Sequence, residues 1–194
     1  MKTIYLAAAM ASALSLSAPA QAGFFDFTLA PFIGASIGQS TLDISCPAGA
    51  SCDDTDTAWK VFGGLEVNEY LSMEVGYADL GEAKFSDATS SATAEVNGMT
   101  MALVGTYSVS PSFTLIGRGG MNILNLEVDA IDNGVASNDG DTDVAWSLGV
   151  GAQYNFTKSV GLRVEYERFF DVGDEDTTGE ADVDLISAGV VFKF

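Results

Sequence analysis

The chain has 194 residues, a formal net charge of −19 at pH 7 and no histidine. Hydrophobic residues nevertheless make up 47% of it, and the mean hydropathy is +0.23. A chain this acidic repels phosphate, which excludes nucleic acid as a partner. Proteases, acyltransferases and deacylases usually rely on a histidine base, so we expect no enzymatic activity and no cofactor.

Residues 1–22 have the pattern of a secretory signal peptide. One positive charge at Lys2 precedes an apolar run that ends at Leu16, and Ala20-Gln21-Ala22 forms a small-x-small end. The apolar run is shorter than the roughly 20 residues that a transmembrane helix needs. We therefore predict an exported chain in which residues 1–22 are removed and residues 23–194 form one domain.

Eight segments after the signal alternate between apolar residues and small or polar residues, which is the period-2 pattern of a strand with one apolar face. Each has about ten residues or slightly more, which matches a tilted membrane span. Their approximate bounds, in chain order, are Pro31–Ser40, Ala58–Val67, Tyr70–Leu80, Val96–Tyr107, Phe113–Val128, Trp146–Tyr154, Val160–Phe170 and Val183–Phe194.

The connections between these segments alternate between long and short. Long polar connections are predicted at 41–57, 81–94, 129–143 and 172–182, and the connections between them are short turns. In an up-and-down barrel this rhythm places every long loop at one end and both termini with the short turns at the other. Aromatic residues also cluster near strand ends, as they do at a membrane boundary. The sequence predicts an all-β fold: an eight-stranded antiparallel up-and-down transmembrane β-barrel.

The first long connection contains two cysteines, Cys46 and Cys52. An exported chain reaches an oxidising compartment, so we predict a small loop disulfide. A metal site is the alternative, but two thiolates without a histidine do not complete a tetrahedral set, and we predict none. The acidic residues of the long loops are expected to form a solvated, repulsive rim. Divalent-cation binding is the alternative there, although no segment has the spacing of a calcium loop.

Three stretches carry a family resemblance. Ala58–Ala83, A-W-K-V-F-G-G-L-E-V-N-E-Y-L-S-M-E-V-G-Y-A-D-L-G-E-A, resembles strands two and three of the transmembrane domain of outer membrane protein A and its small-barrel relatives. Gly161–Phe170, G-L-R-V-E-Y-E-R-F-F, is similar to strand seven of that family, and S-A-G-V-V-F-K-F is similar to its closing strand.

The resemblance implies location in the outer membrane of a Gram-negative bacterium, in contact with membrane lipid and lipopolysaccharide. It also implies that Phe192 and Phe194 form the terminal signal read by the barrel-insertion machinery. The peptidoglycan-binding domain of the family would follow strand eight. The chain ends there, so we expect no peptidoglycan role.

Charged residues at inward positions are the candidate site. An inward charge in a narrow barrel needs a partner, because isolated buried charge is costly. The inward set comprises Lys60, Glu66, Glu74, Arg118, Arg163, Glu165, Glu167 and Lys193. The resemblance implies a closing pair between an inward Glu of strand three and an inward Arg of strand seven, here Glu74 and Arg163. The alternative partners in the family, a Lys and a Glu, are replaced by Val104 and Gln153. We therefore expect the closed pair and no switched-open arrangement.

These patterns favour a structural or surface role, with a charged network plugging the lumen and acidic extracellular loops available to a partner. A narrow, porin-like ion channel is the alternative, with Glu74 and Arg163 as candidate gate residues. A soluble lipocalin-like binder is a third interpretation, because the same alternation permits the apolar face to point inward. The charges at Arg163, Glu165 and Glu167 and the terminal Phe favour the membrane protein.

Overall fold

The computed structural model of the protein describes residues 29–43, 51–86, 90–132, 135–173 and 181–194. The predicted signal peptide and Cys46 lie outside these ranges. The strands are β1 (Ala30–Leu42), β2 (Ser51–Asp53), β3 (Thr55–Asn68), β4 (Leu71–Ser86), β5 (Ser90–Ser110), β6 (Phe113–Asp132), β7 (Val135–Asn155), β8 (Val160–Val172) and β9 (Ala181–Lys193). The described ranges include no helix with the length and apolarity for a membrane span.

The eight long strands form one closed antiparallel sheet. Each pairs with the next long strand in the chain, and β1 pairs with β9 to close the ring, with Phe32 opposite Lys193 and Leu42 opposite Val183. The short strand β2 pairs with the end of β4, beyond the last residues that β4 pairs with β3. The predicted eight-stranded antiparallel barrel is therefore confirmed.

Side chains alternate between the barrel interior and the outer surface, as the pleat requires. In β8, Leu162, Val164 and Tyr166 are exposed, whereas Arg163 and Glu165 between them are buried. The other strands repeat this arrangement, so large apolar side chains form an outer belt around the barrel. Such a belt is what a lipid-facing surface needs.

The barrel has two distinct ends. The short-turn end contains the connections 69–70, 111–112 and 156–159 together with Ala30 and Phe194, and the long-loop end contains the other connections.

Two of the four predicted long loops are wrong, because most of 81–94 and 129–143 is strand. Outside the apolar belt neither face of a strand has to be apolar. The alternation of apolar and polar residues therefore weakens there, although the hydrogen bonds between the strands continue. We call these extensions, residues 82–86, 90–97, 125–132 and 135–144, the arms.

Backbone geometry changes abruptly at two points of the long-loop end. Gly81 has φ 79° and lies at a register shift between Asp79 and Glu82. Asp171 and Gly173 have φ 53° and 104°, which ends the regular extension of β8. As a result, β8 pairs with β7 only as far as Phe170 opposite Trp146.

Candidate functional site: the barrel interior

Six ionisable side chains, within the residues that the structure describes, occupy the middle of the barrel as a connected set. We call this set the charged layer; its members are Lys60, Glu74, Arg118, Arg163, Glu165 and Glu167. All six are buried, with at most 7% of each side chain exposed. The three positive and three negative charges balance, so the layer has no formal net charge.

Arg163 has two hydrogen-bonded partners and two aromatic rings around its guanidinium group. Nη1 donates to Glu74 Oε2 at 2.6 Å, and Nε donates to Gln153 Oε1 at 3.1 Å. The rings of Phe32 and Phe62 lie with their centroids 5.8 and 5.2 Å from Cζ, close enough for cation–π attraction. Gln153, which stands where the family has a Glu, therefore serves as a neutral acceptor for Arg163.

Two glycines make room for those rings. A Cβ built on Gly34 would lie 2.4 Å from Cζ of Phe62, and one built on Gly64 would lie 2.5 Å from Cζ of Phe32. Atoms at that distance would overlap, so a larger residue at either position would displace a ring from Arg163. These small inward residues of β1 and β3 are thus part of the environment of this cation.

Glu167 and Glu165 connect the other cations. Lys60 Nζ donates to Glu167 Oε2 at 2.8 Å, and Ser147 Oγ donates to Oε1 at 2.9 Å. Arg118 Nη1 donates to Glu165 Oε1 at 3.2 Å, and its Nε lies 3.1 Å from Glu167 Oε1. Because each carboxylate contacts more than one cation, removing any single member leaves buried charge without a full set of partners.

Apolar side chains fill the interior directly beyond the charged layer, toward the long-loop end. We call this set the apolar layer; its larger members are Leu42, Leu80, Val96, Leu124, Leu126, Phe169, Val172, Val183 and Leu185. Along the strands these residues follow the polar ones at inward positions: Phe169 comes two residues after Glu167. We had not predicted this layer. Following the inward register to the ends of the predicted spans would have found most of it, because Leu80, Leu124 and Phe169 lie at inward positions within those spans.

A polar cavity of about 200 Å³ lies on the other side of the charged layer, at the short-turn end. Its lining includes Phe32, Ser72, Thr106, Gln153, Arg163 and Lys193. Lys193 Nζ donates to Glu66 Oε1 at 2.5 Å in a half-buried pair. The structure thus places Lys193 at the mouth of the barrel with Glu66, whereas the other six predicted inward residues form the charged layer. Val104 is fully buried and apolar.

The carboxylate of Asp56 stabilises the register shift of β4 at the long-loop end. Its carboxylate accepts hydrogen bonds from the backbone N–H of Glu82 at 2.9 Å and of Thr57 at 2.7 Å. These hydrogen bonds hold the pKa of Asp56 below its usual value. A Cβ on Gly81 would lie 2.8 Å from Cβ of Asp56, and φ there is positive, so this turn needs glycine.

Two further predictions concern residues away from the interior. Cys46 lies outside the described residues, so the Cys46–Cys52 disulfide stays a prediction. At the short-turn end, Phe192 is exposed on the outer surface, and Phe194, the last residue, is also exposed. Their role as an insertion signal also stays a prediction.

An eight-stranded antiparallel barrel with an apolar outer belt and a charged interior defines the class: an integral outer-membrane β-barrel protein. The family model described as "OmpA-like transmembrane domain" matches residues 30–194. The chain belongs to that family and is a protein of the outer membrane of a Gram-negative bacterium.

Known proteins agree with this assignment. Outer membrane protein A of Yersinia pseudotuberculosis is 29% identical over 136 residues, which cover 69% of this chain and 38% of the relative. The structure of Neisserial surface protein A superposes with a TM-score of 0.61 at 16% identity, covering 84% of this chain and 97% of that one. Ail, the attachment invasion locus protein of Yersinia pestis, gives 0.58 at 14% identity, covering 86% and 99%. The chain thus spans well under half the length of the Yersinia pseudotuberculosis relative.

Proposed function

We propose that the chain is a closed, non-conducting outer-membrane scaffold that presents its long-loop end to the outside of the cell. The observation that carries this proposal is the double filling of the interior. A neutral charged layer crosses the bore, and the apolar layer lies directly beyond it. Ions would have to pass both, and an apolar constriction disfavours them even where water enters.

A narrow ion channel is the alternative. In that mechanism Glu74 and Arg163 would separate and leave a path through the charged layer. Separation would leave Leu80, Leu124 and Phe169 in place, because they lie beyond the pair and contact other residues of the apolar layer. The apolar layer is therefore the argument for the scaffold over the channel.

Conductance in a planar bilayer tests the proposal. We expect silence from the refolded protein and from Glu74→Ala, and openings only when Glu74→Ala is combined with Phe169→Ala. Leu148→Ala, on the lipid-facing surface, is the matched control for a lost apolar side chain. Discrete openings in the unmodified protein would overturn the scaffold in favour of the channel. Openings in Glu74→Ala alone would show that the charged layer is the sole barrier.

The partner at the outer end is proposed to be cationic. Cross-strand partners Glu82, Glu95 and Glu127 form one acidic row across the arms. Other carboxylates at this end include Asp43, Asp53, Asp54, Asp182 and Asp184. Ail has been solved with the heparin analogue sucrose octasulfate, a polyanion. The acidic row would repel such a ligand. We expect no heat of binding when sucrose octasulfate is titrated into this protein, and saturable binding would overturn the assignment.

The remaining parts of the proposal concern biogenesis and surroundings. The apolar belt contacts lipid and lipopolysaccharide, and the aromatic end at Phe192 and Phe194 is read by the insertion machinery. The carboxylates of the charged layer serve as ion-pair partners and perform no acid–base catalysis. Phe194→Ser should slow insertion in cells while leaving refolding into detergent unchanged. Equal slowing of both would assign Phe194 to folding alone.

A further inference from the structure

The outward face of β6 has a gap in the middle of the apolar belt, where glycines stand in place of large side chains. The outward positions of this strand are, in order toward the long-loop end, Phe113, Leu115, Gly117, Gly119, Met121 and Ile123. Gly105 of β5 pairs with Gly117, so three outward glycines lie together. Most outward positions of the belt carry large apolar side chains, and glycine weakens the interior of a strand, so the gap needs an explanation.

Neither backbone conformation, a bulge nor crowding accounts for the glycines of β6. Positive φ among the described glycines is confined to Gly81 and Gly173, and the register of β6 with its neighbours is unbroken at both Gly117 and Gly119. A Cβ built on Gly117 would meet nothing within 4 Å, and one built on Gly119 would meet only Leu148 Cδ2, at 3.6 Å. By contrast, Cβ atoms on inward glycines of β1 and β3 would overlap aromatic rings. The outward glycines therefore keep space open outside the barrel.

This space is a groove with mostly apolar walls. It consists of two adjoining hollows of about 690 and 500 Å³, which share Gly119, Leu148 and Phe170. We call the two hollows together the β6 groove. Its walls include Met73, Met101 and Met121 on one side and Trp146, Leu148 and Phe170 on the other. All residues that line the groove lie within the described ranges.

The width of the β6 groove suits one hydrocarbon chain. Leu103, Gly119 and Leu148 are partners across three neighbouring strands, so two leucine side chains flank a position that has none. Neighbouring strands lie about 4.8 Å apart, so the two flanking strands are roughly 10 Å apart. The leucine side chains take up part of this width and leave a slot for a single chain of carbon atoms. The methionines of the wall are flexible and can adjust to the shape of that chain.

The position of the groove along the belt indicates which molecule reaches it. The groove extends from Gly117, in the middle of the belt, to Trp146 and Phe170 toward the long-loop end. With the long-loop end outside, as proposed above, this half of the belt lies in the outer leaflet, where the lipid is lipopolysaccharide. A second copy of the chain fits worse. A symmetric pair would place hollow against hollow and leave volume unfilled.

We propose that the β6 groove holds one acyl chain of a lipopolysaccharide molecule and so keeps that molecule at a fixed place beside the barrel. Association within lipid depends on close packing, because the surrounding chains are as apolar as the protein surface. A chain in the groove contacts floor and walls together, which a chain lying on a convex part of the belt cannot do. This inference deepens the proposed contact with lipopolysaccharide, and it rests on the proposed function for the outward orientation of the long-loop end.

Trp146 can report whether the groove is occupied, because it lines the groove and Trp59, the other tryptophan of the chain, does not. The protein with Trp59→Phe is refolded into vesicles of phosphatidylcholine with brominated acyl chains, which quench tryptophan on contact. Lipopolysaccharide is then mixed in. We expect the fluorescence of Trp146 to recover at mole fractions too low to dilute the brominated lipid as a whole. The reciprocal protein, Trp146→Phe, should recover only in proportion to dilution. Equal recovery of the two tryptophans would overturn the inference.

Matched glycine substitutions locate the site. Gly119→Leu fills the groove, and the space around its Cβ allows the barrel to fold. Gly63→Leu adds the same side chain to the outward face of β3, outside the groove, where the nearest atom to a Cβ is 3.5 Å away. Gly119→Leu should abolish the early recovery of Trp146, whereas Gly63→Leu should leave it unchanged. Early recovery that persists in folded Gly119→Leu, or that is lost in both variants, would contradict the proposed site.

Two further measurements identify the occupant. Lipopolysaccharide from which alkali has removed the acyl chains keeps its sugars and phosphates, and it should give no recovery of Trp146. Recovery with this probe would assign the site to the headgroup. Sedimentation in detergent micelles should show a monomer for the unmodified protein and for Gly119→Leu. A dimer that Gly119→Leu abolishes would assign the groove to a second copy, and either result would overturn the inference.

The assay also separates this inference from the proposed function. Lipopolysaccharide enters both leaflets of the vesicles, so the recovery of Trp146 does not depend on which way the barrel faces. Conductance is measured in a different experiment, so an empty groove would leave the closed scaffold standing. Openings in the planar bilayer would likewise leave the groove standing.

Discussion

The charged layer and the apolar layer lie next to each other inside the same ring of strands, but different forces hold them. Glu167 in the charged layer receives hydrogen bonds from Lys60 and Ser147 and lies beside Arg118. Phe169, two residues further along the same strand, is fully buried among apolar side chains. The charged layer depends on matched partners, whereas the apolar layer depends on filled volume. A substitution should therefore be judged by pairing in one layer and by size in the other.

The largest effect is expected from Glu167→Ala. This change leaves Lys60 and Arg118 buried with one carboxylate fewer and should lower the free energy of unfolding by about 3–5 kcal/mol. Urea unfolding in lipid vesicles, followed by tryptophan fluorescence, measures it. Glu95→Ala, an exposed glutamate of β5, is the control and should cost less than about 0.5 kcal/mol. Similar losses for both would contradict the importance of pairing in the charged layer.

Leu80→Ala probes the apolar layer by volume alone. Leu80 is fully buried, and we expect a loss of about 2–5 kcal/mol from the cavity it leaves. Leu148→Ala on the lipid-facing surface removes the same atoms, but lipid chains can occupy the space, so the loss should be smaller. The same vesicle assay compares them. If Leu148→Ala lowers the free energy of unfolding by as much as Leu80→Ala, then Leu80 does not stabilise the protein by filling volume inside the barrel.

A double-mutant cycle on Glu74 and Arg163 sharpens the comparison. Arg163→Met leaves Glu74 without its cation, and Glu74→Leu leaves Arg163 with only the more distant Glu165, at 4.0 Å, whereas the double variant leaves neither charge. The double variant should lose about 1–3 kcal/mol less than the sum of the single losses. Two leucines of the apolar layer, Leu80 and Leu124, changed to alanine should show no such recovery. Additive losses at Glu74 and Arg163 would mean that the two charges are not coupled.

The smallest effect is expected at Asp56, outside both layers. Its pKa is lowered in the folded protein by the N–H groups of Glu82 and Thr57. The ionised carboxylate therefore stabilises the fold above the unfolded pKa, near 3.8, and this contribution is lost as the pH falls through the folded value. Asp56→Asn should flatten the acid limb of stability measured from neutral pH to about pH 3. An unchanged acid limb would assign the pH dependence to other carboxylates.

The membrane-spanning part of the fold was predictable because lipid imposes a strict rule. A lipid-facing residue must be apolar, so the alternation at Leu162, Arg163 and Val164 fixes which side chain points inward. A shift of one residue would have placed Arg163 in lipid, which leaves a single acceptable register. The same rule located the inward charges before their partners were visible.

The rule fails where its cause is absent. Beyond the belt, inward residues such as Leu124 and Leu126 are themselves apolar. Apolar character therefore no longer identifies the outward face of a strand. The arms have mostly polar residues on their outer face, so the sequence predicts loops at 81–94 and 129–143. The contact between Arg118 and Glu165 was not predicted from the sequence. These residues are 47 positions apart, and the pairing of β6 and β8 on either side of β7 brings them together.

The arms also determine how far the paired sheet extends beyond the apolar belt. In β5 alone, residues 90–97 extend about 25 Å along the strand at the usual rise per residue. Residues 91–95 and Asn97 are paired on both sides, with β4 and β6, so this part of β5 forms a stiff projection. A flexible loop of equal length would sample many positions and lose entropy on capture. A stiff projection keeps its paired residues at a set height above the apolar belt, so a partner bound there under the proposed function would be held at that distance from the membrane.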